Sequence, residues 1–287
     1  MSDVKVSFSL IDLKGLSPVA EKIVDKISGA IGLVAKPLLR EREARAEMRI
    51  ASLEQRAAHQ RQFEDTKFQA NMEKITAQAI GIAGENAKPE SVEDDWLTHF
   101  YQKSRILSDA EMQSLWARIL AGELQAPGSF SKRTLESVAT MDKSDAQSFT
   151  RFCGYTWNIG GPTPVILDNA DHAIYGKSGI GFGVLNHLTS IGLLTFSALG
   201  FIKRGLPKYG IFPYFGIPYL SEFPNEKDNQ LKVGNFLFSK TGEELCAIAG
   251  AKPVPGFPEF LMDRWNLKLW DGKNPVTGVP MVIPPGS

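Results

Sequence analysis

Cysteine is nearly missing from this 287-residue sequence: Cys153 and Cys246 are the only two, far apart and without CxxC spacing. Histidine is also sparse, and His59, His99, His172 and His187 are scattered. Disulfide scaffolds and zinc sites need denser sets at set spacings, so neither is expected, and no metal or cofactor is expected either. There is no excess of charge of one sign. Lys plus Arg and Asp plus Glu both number 32, for a formal net charge of zero. Dedicated nucleic-acid binders draw much of their affinity from phosphate contacts and usually carry a basic surplus.

A long uninterrupted apolar run is missing too. Between Lys177 and Lys203 no residue is charged, but Asn186, His187, Thr189, Ser190, Thr195, Ser197 and five glycines break the stretch. A spanning helix needs about 20 mainly apolar residues, so this segment reads as buried core. The patch Ile27 to Leu39 is too short and is broken by Lys36 and Pro37. Met1 to Leu16 has no cationic start followed by an apolar core, so no secretory signal is read there and a reducing cytoplasm is the expected compartment.

What is present is ordinary globular material. A hydrophobic fraction of 43% and a charged fraction of 22% are enough to bury a core in two modest domains plus an extension. Residues 1–16 alternate Val4, Val6, Phe8 and Leu10 with polar neighbours, a strand-like period of two. Ser17-Pro18 reads as a helix cap with proline at the first helical position. Ile23, Val24, Ile27, Ile31 and Val34 then form a helical stripe. From Leu38 to Ile80 the good helix formers Arg, Glu, Gln and Ala dominate, with interleaved charges at i,i+4. Phe68, Met72, Ile75 and Ala79 add an apolar stripe. Residues 17–80 are therefore expected to form a long charged helix, an oligomerisation stalk with that stripe as its contact.

Residues 81–93 read as a linker and 94–160 as a small helical domain. Its first helix runs through Trp96, Phe100 and Tyr101. Ser108 and Glu111 suggest a capping box for the second, whose apolar face is Met112, Leu115, Trp116, Ile119 and Leu120. Ser129 or Ser131 caps a third, and Asp142 opens a fourth holding Ala146, Phe149, Phe152 and Trp157. Over 161–270, strands are expected at Val165–Leu167 and His172–Tyr175, then a helix at Gly181–Ser190. Extended segments from Leu193, Tyr209 and Leu231 come next, and Thr241 to Glu244 reads as a capping box that opens a helix with Leu245 and Ile248. That order looks like a winged helix. Phe257 to Leu269 reads as a last amphipathic helix, and 271–287 as an irregular tail.

The chemistry-bearing patterns favour structural readings. Gly176-Lys177-Ser178-Gly179 lacks the upstream glycine of a phosphate loop, since Asp171 stands there. Asp168, Asp171 and His172 suit a metal or an acid/base pair, but Asp-Asn-Ala-Asp is also good turn chemistry. Cys153 sits among aromatics and reads as core. In the winged-helix region, Asn186, His187, Lys203, Arg204 and Lys208 are the candidate nucleic-acid contacts, although the candidate recognition helix itself has no Lys or Arg.

The stretch Ser108–Phe149 carries Leu-Trp-Ala-Arg-Ile-Leu-Ala-Gly-Glu leading to Pro-Gly-Ser-Phe-Ser-Lys-Arg-Thr-Leu. It resembles a family of bacterial proteins of unknown function, over most of Val92–Ala249. The helices are also similar, more loosely, to the abortive-infection alpha proteins of phage resistance, through Leu-Trp-Ala-Arg-Ile-Leu and the helix at Met141–Ala146. The second resemblance implies defence against phage and transfers no catalytic residue. By the residues themselves, Trp116, Phe130, Leu135 and Phe149 are expected to share a small core, with Arg118, Glu123, Lys132 and Arg133 as an exposed partner surface.

These readings combine into a mostly α, α+β protein with a long N-terminal helix, a helical domain and a winged-helix-like C-terminal domain. The expected function is a non-enzymatic bacterial phage-defence protein acting by homo-oligomerisation or by binding a protein partner or phage component. A winged-helix nucleic-acid regulator is the first alternative and a membrane-active effector the second. Neither nucleic acid nor membrane is the favoured partner.

Overall fold

The computed structural model describes residues 17–31, 48–167 and 170–280, with backbone only for 48–63. The strand-like segment 1–16, the charged run before Met48, most of the apolar patch Ile27–Leu39, and Asp168 lie outside the described residues. The chain is a mixed α+β protein, mostly helical, and it divides into two compact units, Met1–Ala139 and Thr140–Ser287.

The first unit is helical. Helix α1 (Pro18–Ile31) starts where Ser17 Oγ accepts the Ala20 amide at 3.3 Å, and it buries Ala20, Ile23, Val24 and Ile27. Helix α2 (Met48–Ala83) has 36 residues, or about 54 Å at 1.5 Å per residue. Two single-turn 3-10 helices at Gly84–Asn86 and Pro89–Ser91 connect it to α3 (Asp94–Ser104). This connection is not a free linker. Pro89 and Val92 are buried, and the Lys88 amide donates to Leu124 O at 2.6 Å. Helices α4 (Ala110–Gln125) and α5 (Lys132–Ala139) complete the unit. The cap of α4 is Asp109 rather than Ser108: its carboxylate accepts from the amides of Glu111 and Met112.

The core of this unit is aromatic at its centre. Phe100 stacks on Trp96 and meets Trp116 edge-on, with ring centroids 5.3 and 5.1 Å apart. Gly122 lets Phe130 approach, because a Cβ there would stand 2.7 Å from the Phe130 ring. Buried polar side chains need partners, and several here supply them to one another. Gln113 donates to Asn71 and to Leu107 O, and the Thr76 and Tyr101 hydroxyls share a 2.6 Å hydrogen bond.

The second unit opens with α6 (Lys143–Cys153), which begins in a capping box between Asp142 and Asp145. The expected division after residue 160 therefore falls about twenty residues too late. The cause is that α6 packs with the downstream chain: Phe149 and Phe152 meet Phe238 edge-on, and Thr150 Oγ1 donates to Ala249 O. Phe149 accordingly belongs to this core and not to that of Trp116, Phe130 and Leu135. Trp157, expected on the same helix, lies in a short hairpin of β1 (Thr156–Asn158) and β2 (Pro162–Pro164).

Val165–Leu167 contributes only a parallel bridge, Ile166 to Gly234, and the expected strand at His172 is a one-turn helix, α7 (Ala173–Gly176). Helix α8 (Phe182–Ser190) then leads into β3 (Leu194–Leu206). Strands β4 (Tyr209–Tyr214) and β5 (Ile217–Glu222) form a hairpin. The chain returns as β6 (Asn229–Phe238), which pairs antiparallel with β3. Helix α9 (Lys240–Cys246) comes next, capped by Ser239, and α10 (Phe257–Trp265) turns directly into β7 (Leu267–Leu269) on the edge of β5. Trp157 sits among Tyr214, Tyr219 and Trp265, an aromatic cluster at the centre of this unit.

Candidate interaction surface

Most residues singled out in the sequence are already in use inside their own unit. Met72, Ile75 and Ala79 are buried where α2 packs on α4, and Phe68 lies half-buried beneath the Arg105 guanidinium at 5.1 Å. The stripe expected to join copies of the chain is thus covered by the chain itself. Glu123 corrects another expectation. It is buried, and its two oxygens accept the amides of Gly128 at 2.6 Å and Phe130 at 3.0 Å. Arg118 is half-buried, with desolvation lowering its pKa and Nε directed at Ser114 O. Of the four expected partner residues, Lys132 and Arg133 are exposed.

The candidate nucleic-acid residues are divided in the same way. Asn186 and Arg204 are exposed and Lys203 is half-exposed. His187 Nε2 rests on Asp145 Oδ1 at 2.8 Å. Lys208 gives its ammonium to Glu226 at 2.7 Å, a hydrogen bond that raises its pKa. Two of the five thus carry a carboxylate beside them. The Asp171 region is built as a turn: Asp171 Oδ1 accepts the Phe182 amide, and His172 Nδ1 accepts the Ile174 amide to cap α7. Among the described residues no group of three His, Cys, Asp or Glu is placed to hold a metal.

The exposed chemistry lies on β3, in the stretch without charge. In its register with β6, Phe196 faces Phe236 and Phe201 faces Gly234, so four residues of β3 stand against the single Asn235. The surplus forms a bulge, Ser197–Gly200. Asn235 fills the gap in the ladder, with Nδ2 donating to Ser197 O at 2.8 Å and to Ala198 O at 3.3 Å. The bulge carries Leu199 outward until it is 95% exposed. Phe182, Phe196 and Ile202 are exposed as well, with Phe182 and Phe196 edge-to-face at 6.5 Å. On its inner side Phe196 is anchored against buried Phe236 at 5.0 Å. Among the described residues β3 pairs only with β6, so its outer edge has no ladder partner there.

A family model described as "Protein of unknown function (DUF2806)" matches residues 55–262. The chain belongs to that family. The match takes in most of α2 and runs into α10, so the β3 bulge lies inside the matched region. No curated protein and no solved structure matches the chain.

The bulge is hidden in the sequence by the separation of its parts. Asn235 lies 38 residues from Ser197, and a lone asparagine in a strand-like stretch gives no local sign of its target. The one signal is the uncharged run from Lys177 to Lys203. It reads equally well as core, and its length and hydropathy do not tell a buried strand from a displayed one.

Proposed function

We propose that this protein works by self-assembly, with a second copy seated on the outer face of β3, and without catalysis. The observation that carries the reading is Leu199, held out on a bulge that Asn235 braces. A protein that keeps a cluster of large apolar side chains in water normally has something to cover it. The occupant is argued from charge and edge. The face has no charged residue between Lys177 and Lys203, so it offers no electrostatic selection for a charged partner. The unpaired edge of β3 is uncharged from Leu194 to Ile202, with Lys203 and Arg204 only towards its far end; such an open edge is a template for another strand, and a twofold contact lets the same patch serve both copies.

Sedimentation and light scattering on the whole chain test this. Burying one leucine contributes about 1.5–3 kcal/mol. A twofold interface uses it twice, so Leu199→Asp should weaken the dimer by roughly two to four powers of ten. A monomer at micromolar concentration for the parent chain would overturn the reading.

The setting proposed with it is defence against phage, supported by the likeness of Leu115–Leu120 and Met141–Ala146 to abortive-infection alpha proteins. Plating efficiency on bacteria that express the parent chain or the Leu199→Asp variant tests the setting. No difference from empty cells would remove it.

Two competing readings are weaker. Helix α8 followed by the β3–β6 pair suits a winged-helix-like nucleic-acid binder, but Asp145 beside His187 and Glu226 beside Lys208 place negative charge where phosphates would lie. Binding at low salt, where such attraction is strongest, would revive that reading. For a membrane effector, no helix among the described residues is long and apolar enough to cross a bilayer.

A further inference from the structure

Helix α1 lies outside the family match, and it packs on a unit that lies largely inside it. It rests mainly on α3 and the two 3-10 turns, with Ile23, Val24 and Ile27 buried. Polar contacts fix its register. Lys22 Nζ meets the Glu90 carboxylate at 3.1 Å, Lys26 meets that of Asp94, and Thr98 Oγ1 donates to Ala30 O at 3.1 Å. The three contacts keep one spacing of 68 positions, so α1 runs parallel to residues 90–98 and its last turn reaches Thr98. Less than one turn farther along α3, the Tyr101 hydroxyl shares its hydrogen bond with Thr76 of α2. The docked α1 therefore ends level with the last third of α2.

The chain enters α2 at the opposite end. Thr76 stands 28 residues beyond Met48, about 42 Å along the helix. Only 16 residues, 32–47, join Ile31 to Met48. A helical tether of that length reaches about 24 Å, and covering about 42 Å takes most of its full extension, about 53–58 Å. Its sequence opposes such extension, because residues 38–47 consist entirely of Leu, Arg, Glu and Ala, all good helix formers. We propose that two copies of this chain exchange their N-terminal helices, each α1 docking on α3 and the 3-10 turns of the other copy. In a twofold pair whose α2 helices run antiparallel, Met48 of one copy stands beside the Ala83 end of the other, where the 3-10 turns begin. The tether then needs no extension. The buried apolar face, the two ion pairs and the Thr98 hydrogen bond are all kept, now between chains. Exchange of an identical element is a low-cost route to a dimer, and a short connection favours it. This contact goes beyond the β3 face, since it uses the other compact unit and no residue of the uncharged stretch.

Carbodiimide cross-linking of the whole chain at micromolar concentration, followed by denaturing electrophoresis and peptide mapping, tests the proposal without any substitution. The reagent joins Lys26 to Asp94 and Lys22 to Glu90 with no spacer. In an exchanged pair each such link joins two chains, so the linked peptides are expected in the covalent dimer band and not in the monomer band. Linked peptides confined to the monomer band would overturn the proposal, as would the absence of both links. Lengthening the tether by about 20 Gly and Ser residues between Ala35 and Lys36 gives α1 the reach to dock on its own chain. The linked peptides should then move to the monomer band, and their staying with the dimer would remove the tether argument on which the exchange stands. Leu199→Asp, which weakens the β3 contact, should leave them in the dimer band. Their transfer to the monomer band in that variant would show that no separate exchange contact exists.

Discussion

Removing the Glu123 carboxylate should unfasten the turn between α4 and α5. Its oxygens take the amides of Gly128 and Phe130 at 2.6 and 3.0 Å. Phe130 in turn accepts the Trp96 indole N–H through its carbonyl at 2.7 Å and presses its ring against Gly122. One side chain therefore holds a segment that closes the aromatic core of the first unit. In Glu123→Ala the two amides fare differently. Gly128 is exposed and water can take the lost place, while Phe130 is buried and its N–H loses the acceptor. A hydrogen bond to a charged group contributes about 1.5–3 kcal/mol, and the stranded donor loses the upper part of that range. With about 1 kcal/mol for the solvated Gly128 amide, the expected loss is about 3–4 kcal/mol. Glu123→Gln keeps one acceptor oxygen and turns an NH2 toward the other amide, so it should cost about half as much. Urea unfolding, together with hydrogen exchange at the Phe130 amide, reads both variants. Changes within about 0.5 kcal/mol, the ordinary range of a surface substitution, would refute the structural role and return Glu123 to the surface chemistry that its charge suggests.

Gly234 and Glu136 offer two further tests. Gly234→Ala should be among the most damaging single substitutions in the second unit, because the new Cβ would lie 1.8 Å from Ile166 O and the residue sits at φ +113°. A cost of at least about 3 kcal/mol, read by thermal melting, is expected; a normal melting midpoint would contradict the Ile166–Gly234 pairing. Glu136 titrates with a sign that can be worked out. The hydrogen bond and charge of Lys103, aided by His99, hold its carboxyl below the ordinary value of 4.5, so the folded chain binds that proton less tightly than the unfolded one. Its contribution is present above the ordinary value and is lost as pH falls through the lowered one. In Glu136→Gln the urea midpoint should drop less than in the parent between neutrality and about pH 3, and an unchanged drop would exclude Glu136 as a source of acid sensitivity.

Most helices are legible because their apolar residues recur at helical spacing and their caps are local. Asp142, Ser17 and the stripe Met112–Leu120 each act within a few residues of themselves. Inferences fail where they require knowing what a face packs against. The stripe Phe68–Ala79 is apolar as its spacing implies, yet its partner is α4, some forty residues on, so a seam within the chain looks like a seam between chains. Gly84 and Pro89 signal a break after α2. Local signals do not reveal that the break is pinned by the Lys88 amide to Leu124. His172–Tyr175 has the composition of a strand, but the imidazole caps a helical turn instead.

The β3 surface and the packing of α6 against the end of α9 stay hidden in the sequence for one shared physical reason. Both are made by pairings of high sequence separation: β3 with β6, and α6 with the end of α9. Phe238 links the two, since it ends β6, meets Phe149 and Phe152 on α6, and lies one residue before the Ser239 that caps α9. The strand whose Asn235 braces the bulge therefore runs straight into the helix that carries Cys246.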